Sequence, residues 1–133
     1  MSDAIVYIDT SDVREGALDE LKAGMNELVD FAAANEPRLV AYNVYFSADG
    51  ATMTVVHVHP DSASLEYHLE VAGPLFRQFA ELVTMSSIHV FGEPSEKVLK
   101  QAEEKARLLG RGEVVVHRLY SGFTRVVSDT IEA

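Results

Sequence analysis

A hairpin that carries two histidines is the feature that most constrains how this chain folds. Two runs of alternating apolar and polar residues, 38–47 and 52–59, flank the dipeptide Asp49-Gly50. An Asp-Gly between two such runs is a strong β-hairpin signal. Because side chains alternate along a strand, His57 and His59 must share one face of the resulting sheet.

The length of the turn decides which residues of the hairpin face each other. A two-residue loop at Asp49-Gly50 would place Tyr42 opposite His57, and a three-residue loop would re-pair the faces. With the two-residue loop, one face is clearly the more apolar and should receive the helices. That face carries Val40, Tyr42, Val44, Phe46, Met53, Val55, His57 and His59.

The remaining patterns predict an α+β fold with ferredoxin-like βαββαβ order. They indicate a strand at 5–8, a helix capped by Asp12 and stopped near 35–37, a helix from 62 that is interrupted at Gly73-Pro74, a strand at 87–91, a helix capped by Ser95 and a strand at 114–119. The first six elements form the split βαβ arrangement, with both helices on one face of an antiparallel sheet. We expect a single domain over 1–133, with a core at 4–92, a helix–strand extension at 93–133 and a frayed tail past Arg125.

The other face of the predicted sheet has no helix to cover it. It carries Tyr45, Val56 and Val58 among small polar residues, which is too apolar a surface to leave in water. We therefore expect a homodimer that packs sheet to sheet, with an interface of at least roughly 1,000 Å².

Charge and cysteine content exclude several classes of partner. The chain has 11 basic and 21 acidic residues and a formal net charge of −10. This charge disfavours nucleic acid and anionic membrane surfaces, and no apolar run is long enough to span a bilayer. There is no cysteine, which excludes disulfides and thiolate metal sites. The N-terminus does not resemble a signal peptide, and we expect a cytoplasmic protein.

The segment 61–79 resembles the helix of antibiotic-biosynthesis-monooxygenase-like proteins. It contains Leu65, then His68 three residues on, and it closes on Phe76 and Phe79. The resemblance covers about residues 4–92 and implies a dimeric α+β barrel with a ligand pocket between sheet and helices in each subunit. Known members include cofactor-free oxygenases that act on quinols and aromatic polyketides, together with haem-degrading enzymes.

The resemblance implies a cofactor-independent monooxygenase acting on a quinol or another small aromatic molecule. His68 matches the family's helix histidine and would be the base, because a neutral imidazole can take a phenolic proton. Tyr42 or His57 would hold the developing oxyanion. The candidate substrate-binding residues are Tyr7, Phe46, His59, Leu65, Phe76 and Phe79.

Two departures from the family pattern leave a non-catalytic binding or assembly barrel as the alternative function. His57 stands where many members carry an acidic residue, and the chain lacks the tryptophan that several members have in the pocket. Haem ligation by His68 is a further alternative. It is disfavoured because the haem-degrading relatives have an asparagine on the first strand and a pocket tryptophan.

The sequence also allows a metal site at the hairpin. His57 and His59 would need a third ligand such as His68 or Glu66, and two histidines two residues apart are a weak signal. The sequence therefore predicts no metal and no cofactor. In a purely structural reading, His57 would bond to Tyr42 and His59 would lie at the wet end of the strand.

Two further groups of polar residues look unconnected with a site. His89 and His117 alternate on strands and are expected to have no partner. The basic residues of the last helix are interleaved with glutamates and are expected on a solvated face. They are Lys97, Lys100, Lys105 and Arg107.

Overall fold

Alternating apolar side chains build an antiparallel sheet whose order confirms the ferredoxin-like α+β prediction. The structure is a computed structural model and describes residues 3–111 and 113–125. In these ranges the elements are β1 (Ile5–Val13), α1 (Leu18–Asn35), β2 (Ala41–Phe46), β3 (Thr52–His59), α2 (Ser62–Val71), α3 (Gly73–Phe76), β4 (Val83–Phe91), α4 (Glu96–Leu109) and β5 (Val114–His117). The strand order is β2-β3-β1-β4-β5, with β5 parallel to β4 and the other neighbours antiparallel.

The hairpin register is the one that the two-residue turn predicts. Tyr42 pairs with His57, and Phe46 pairs with Met53. The connection itself is a four-residue loop over 48–51, because Ser47 N donates to Thr52 O and no ladder pair forms beyond it. A carboxylate oxygen of Asp49 holds the loop by accepting hydrogen bonds from Ser47 Oγ and Ala51 N, at 2.7 and 3.0 Å. The longer loop has the same centre as the two-residue loop, so the pairing is unchanged.

The predicted N-cap of α1 is wrong, because the first strand is longer than expected. Asp12 pairs with Thr52 and Thr84 in the sheet, and β1 ends only at Val13. The helix follows at Leu18 without a side-chain cap. Similarly, β4 begins at 83 rather than 87 and β5 ends at 117 rather than 119. Residues 126–133 of the tail that we expected to fray lie outside the described residues.

The break in the second helix and the Ser95 cap of α4 are confirmed, and α2 is capped in the same way by Asp61. Asp61 accepts a hydrogen bond from Ser64 N at 3.0 Å, and Ser95 accepts one from Val98 N at 3.1 Å. The Gly73-Pro74 step separates α2 from α3, as expected for a residue without a backbone N–H. A 3-10 turn over Arg77–Phe79 leads to β4.

The helices pack on one face of the sheet and enclose a single apolar core. Its larger members include Ile5, Tyr7, Leu21, Met25, Leu28, Leu65, Phe76, Phe79, Ile88, Val90 and Val98. The opposite face of the sheet remains partly exposed at Val56 and Val58, and Tyr45 is 54% exposed. None of the helices within the described ranges is long and apolar enough to cross a membrane.

Candidate functional site

A histidine–carboxylate pair lies buried between the ends of two helices. His68 is on the inward face of α2 and is fully buried, and Glu36 is the residue that follows α1. The Nδ1 atom of His68 lies 2.9 and 2.8 Å from the two carboxylate oxygens of Glu36. A carboxylate accepts hydrogen bonds only, so Nδ1–H is the donor.

This pairing leaves Nε2 of His68 as the basic nitrogen. Burial lowers the pKa of His68, and the hydrogen bond and charge of Glu36 oppose that shift. The ring is therefore neutral near pH 7, with its proton on Nδ1. Its Nε2 atom is buried and has no hydrogen-bond partner among the described residues. A neutral imidazole oriented by a carboxylate is the arrangement that general bases use.

Next to this pair, β3 and α2 form a chain of three hydrogen-bonded side chains. His57 Nδ1 lies 2.8 Å from His59 Nε2, and His59 Nδ1 lies 2.8 Å from Ser64 Oγ. Burial lowers the pKa of His57, and it lowers that of His59 to about 3, so both rings stay neutral. His59 is thus buried rather than at a wet strand end, and His57 bonds to His59 rather than to Tyr42.

Aromatic rings bring the predicted residues of the hairpin and α2 together. The His57 ring centroid lies 4.3 Å from that of Tyr7, 5.0 Å from that of Tyr42 and 4.8 Å from that of His68. Phe76 completes the group, 6.1 Å from His68. Burial raises the pKa of both Tyr7 and Tyr42, so both phenols keep their protons and can donate hydrogen bonds.

Three polar atoms of this group are left without a protein partner. Tyr7 Oη, His57 Nε2 and His68 Nε2 are buried and unbonded within the described ranges. Leaving a buried polar atom unsatisfied costs about 1–3 kcal/mol, so such atoms are normally bound to water or to a ligand. The three atoms belong to side chains whose rings contact one another, and this distinguishes the region from the rest of the core.

A buried ion pair adjoins the group, and the sequence interpretation missed it. Lys105 of α4 is 7% exposed, and its Nζ atom lies 3.0 Å from Oδ2 of Asp9 on β1. The ammonium lies 4.4 Å from the ring centroid of Phe76 and 5.0 Å from that of Tyr7. The prediction of a solvated lysine is wrong here, because position 105 lies on the same helical stripe as Val98 and Ala102.

In the described part of the chain, a small interior cavity and several outer grooves lie beside the site. The interior cavity measures about 30 Å³, room for about one water molecule, and is lined by residues that include Asp9, Ser11, Tyr42 and Lys105. Two grooves, of about 470 and 270 Å³, follow the seam between α1 and β2. Tyr42 lines both of these grooves and the interior cavity. A third groove, of about 320 Å³, lies between α2 and α4 and is lined by residues that include Phe76 and Lys105. The grooves of about 470 and 320 Å³ have the volume of a typical ligand pocket.

The remaining predicted contact residues are spread over different parts of the core. Phe79 lines the interior cavity, whereas Leu65 is fully buried on α2. Phe46 lies four residues along β2 from Tyr42 and lines the larger groove, where Lys22 Nζ lies 5.4 Å from its ring centroid. The expected cluster therefore divides into an inner group and an outer groove. The inner group consists of Tyr7, Tyr42, His57, His59, His68 and Phe76.

The other two histidines are not isolated, contrary to expectation. His89 Nδ1 lies 2.8 Å from His117 Nε2, and the Phe91 ring stacks on His117 with centroids 4.4 Å apart. This stack lies on the sheet face away from the helices. Over residues 3–111 and 113–125, no three His, Asp or Glu side chains are arranged to hold a metal ion.

Comparison with solved structures supports the predicted fold. No family model and no curated protein matches the sequence. The structure is similar to MupZ from Pseudomonas fluorescens, with a TM-score of 0.73 and 20% identity over 100% of this chain and 95% of that one. It is also similar to SnoaB, a cofactor-independent oxygenase from Streptomyces nogalater, with a TM-score of 0.60 and 18% identity over 71% and 96%. A Bacteroides thetaiotaomicron protein, provisionally named an antibiotic biosynthesis monooxygenase, has a TM-score of 0.54 and 18% identity over 63% and 84%. The chain thus has the fold of antibiotic-biosynthesis-monooxygenase-like proteins.

Proposed function

We propose that this protein is a cofactor-independent monooxygenase acting on a quinol or another small aromatic molecule with an acidic hydroxyl. The observation that carries the proposal is the His68–Glu36 pair, whose free Nε2 atom is buried beside two further unpartnered polar atoms. The fold shared with a cofactor-independent oxygenase supports it. Nothing in the proposal requires a metal or a prosthetic group.

The reaction would begin with transfer of the substrate's hydroxyl proton to Nε2 of His68. Glu36 would stabilise the imidazolium that forms, because the carboxylate lies against Nδ1–H. The phenols of Tyr7 and Tyr42 and the ring of His57 would surround the substrate oxyanion. Preorganised donors in a buried site stabilise such charge far better than water does.

Dioxygen would be the second substrate and the oxidant. The substrate anion would pass one electron to dioxygen, and recombination of the two radicals would form a carbon–oxygen bond and a peroxide anion. The imidazolium of His68 would return its proton to the outer peroxide oxygen, giving a hydroperoxide. The oxygenated carbon would then lose its hydrogen as a proton while the O–O bond breaks and hydroxide departs. The proton and the hydroxide form water and a new carbonyl remains, so one oxygen atom enters the product and the other enters water.

The substrate would enter along the seam between α1 and β2. The interior cavity of about 30 Å³ cannot hold an aromatic ring, whereas the neighbouring groove of about 470 Å³ can. Tyr42 lines both spaces, so displacement of its side chain would join them. We expect the apolar walls of the groove to hold the ring and the inner group to receive its hydroxyl.

The protein would act as a homodimer that packs sheet to sheet. The half-exposed face at Val56, Val58 and Tyr45 supports this assembly, because the helices leave it uncovered. Phe91 is 36% exposed and, stacked on His117, extends the apolar surface.

A second candidate function is proton-transfer chemistry without oxygen. The polar side chains of the inner group are imidazoles and phenols, and a carboxylate and an ammonium, those of Glu36 and Lys105, lie beside them. All four are acid–base groups. They would serve isomerisation or elimination as readily as oxygenation. The third candidate is the non-catalytic binding barrel. A single assay distinguishes the oxygenase from both alternatives.

The assay is oxygen uptake with a panel of quinols and aromatic polyketides. We expect uptake with at least one of them, a loss of at least about 100-fold in His68→Ala, as for removal of a general base, and no change in Tyr67→Ala. The control removes an exposed ring from the same helix. Product formation without oxygen uptake would favour the second function, and binding without turnover would favour the third.

A further inference from the structure

The added helix α4 brings a positive charge into the core. Within the described residues, Lys105 lies on the inward stripe of α4 with Val98, Ala102 and Leu109, whereas Lys97 and Lys100 are exposed. Its partner Asp9 lies 96 residues earlier in the chain, on the inward face of β1 between Tyr7 and Ser11. Two distant segments therefore converge to place this charge.

Stability alone is a weak explanation for the pair. Removing two charges from water costs several kcal/mol per ion, and well-packed apolar residues are often as stable or more so. The ammonium has three N–H donors, and among the described residues only Asp9 accepts a hydrogen bond from Nζ. Ser11 Oγ, on the same cavity, is buried and has no partner in the described chain. The ion pair thus borders a cavity in which N–H groups of Lys105 and the hydroxyl of Ser11 have no hydrogen-bond partner among the described residues.

The charge acts on the same residues that form the inner group. Lys105 and Tyr42 line one cavity, and Nζ lies 5.0 Å from the Tyr7 ring centroid. Burial is the main cause of the raised pKa of Tyr42 and of the lowered pKa values of His57 and His68. The Lys105 charge reaches all three side chains, favouring a phenolate and opposing an imidazolium. An anion near Tyr42 would be favoured in the same way.

We propose that Lys105 is the residue that binds the substrate as an oxyanion, so that the site selects phenols and enols over neutral rings. The inference rests on the proposed function, because it concerns the anion left when His68 takes the proton. In this step the O–H bond of the substrate hydroxyl breaks and an N–H bond forms at His68 Nε2, and no bond between heavier atoms changes. The oxyanion becomes the second anionic partner of the Lys105 ammonium. Asp9 is a positioning residue that holds the ammonium in place through the 3.0 Å contact with Nζ.

The test uses 4-nitrophenol, whose phenolate absorbs visible light and whose neutral form does not. We expect the wild-type protein to bind it as phenolate and to lower its apparent pKa by about one unit, a tenfold change in the ionisation constant. The single variant Lys105→Met would leave a buried, unpaired carboxylate. The double variants Asp9→Asn/Lys105→Met and Asp9→Asn/Lys105→Gln avoid this, and their folding is checked by circular dichroism and melting.

The inference requires that both double variants lose the tenfold change and that Lys100→Met keeps it. Lys100→Met removes the same charge from an exposed position of the same helix. Absence of bound phenolate in the wild type, or its retention in a folded double variant, overturns the inference. Oxygen uptake tests the proposed function separately. Uptake without phenolate binding removes only the role of Lys105, and phenolate binding without uptake removes only the oxygenase.

Discussion

Glu36 and His68 are 32 residues apart in sequence, yet a carboxylate oxygen of one lies 2.8 Å from Nδ1 of the other. Both side chains are almost completely excluded from water, at 2% and 0% exposure. The contact fixes the tautomer of the imidazole and points its basic nitrogen away from the carboxylate. The site therefore owes its chemistry to the contact between the residue that caps the C-terminus of α1 and the last turn of α2.

Replacing Glu36 with glutamine should shift the pH dependence of the reaction. Glu36 holds the pKa of His68 above the value that burial alone would set. Without the carboxylate that pKa falls, so the acid limb of kcat/KM should move to lower pH. We also expect kcat to fall by about tenfold or more, because the imidazolium loses its counter-charge. An acid limb at the wild-type position would show that Glu36 does not act on the base.

Stability should fall as the solution becomes mildly acidic. Burial lowers the pKa values of His57, His59 and His68 from 6.5 in the folded protein, so the unfolded chain binds more protons. The free energy of unfolding should therefore be undiminished above pH 6.5. Below it, the loss approaches about 1.4 kcal/mol per pH unit for each of His57 and His59, and His68 contributes in the same direction.

Urea denaturation between pH 7.5 and 5 measures this slope. We expect His59→Asn to show a shallower slope, because one buried ring no longer opposes protonation. A wild-type stability that is flat from pH 7.5 to 5 would contradict the buried neutral histidines.

Removing the hydroxyl of Tyr42 should affect turnover more than binding. Tyr42→Phe keeps the ring that stacks on His57 and that lines the groove, but it deletes a donor beside the expected oxyanion. A single oxyanion donor is worth roughly 100-fold in kcat when the site depends on it. We expect kcat to fall by at least about tenfold with KM nearly unchanged. Steady-state kinetics with the best quinol decides this, and an unaltered kcat would remove Tyr42 from the oxyanion site.

A charge on the open face of the sheet should separate the proposed dimer. Val56→Asp and Val58→Asp place carboxylates on half-exposed positions of β3, and burying two such charges across an interface is costly. Light scattering after gel filtration should give a dimer for the wild type and a monomer for these variants. Ala23→Asp, on the exposed side of α1, should stay dimeric. A wild-type monomer at micromolar concentration would contradict the assembly.

Much of the inner group follows from sequence periodicity. The hairpin register places Tyr42 opposite His57, and alternation places His57 and His59 on the helix-facing side. The stripe of α2 carries His68 inward beside Leu65 and Leu69. Local patterns determine these positions because a strand repeats every two residues and a helix every 3.6.

The same periodicities place Glu36, Asp9 and Lys105 inward, although a sequence interpretation guided by polarity assigns such residues to the surface. Glu36 continues the buried stripe of Leu28 and Ala32, and Asp9 follows Ile5 and Tyr7 on one face of β1. A buried charge is stable only with a partner, and each partner here comes from a distant segment. Sequence alone determined the strands, the helices and their inward faces. Only the tertiary structure decided which charges face each other, because ion pairs and hydrogen bonds depend on distances of about 3 Å that no local repeat sets.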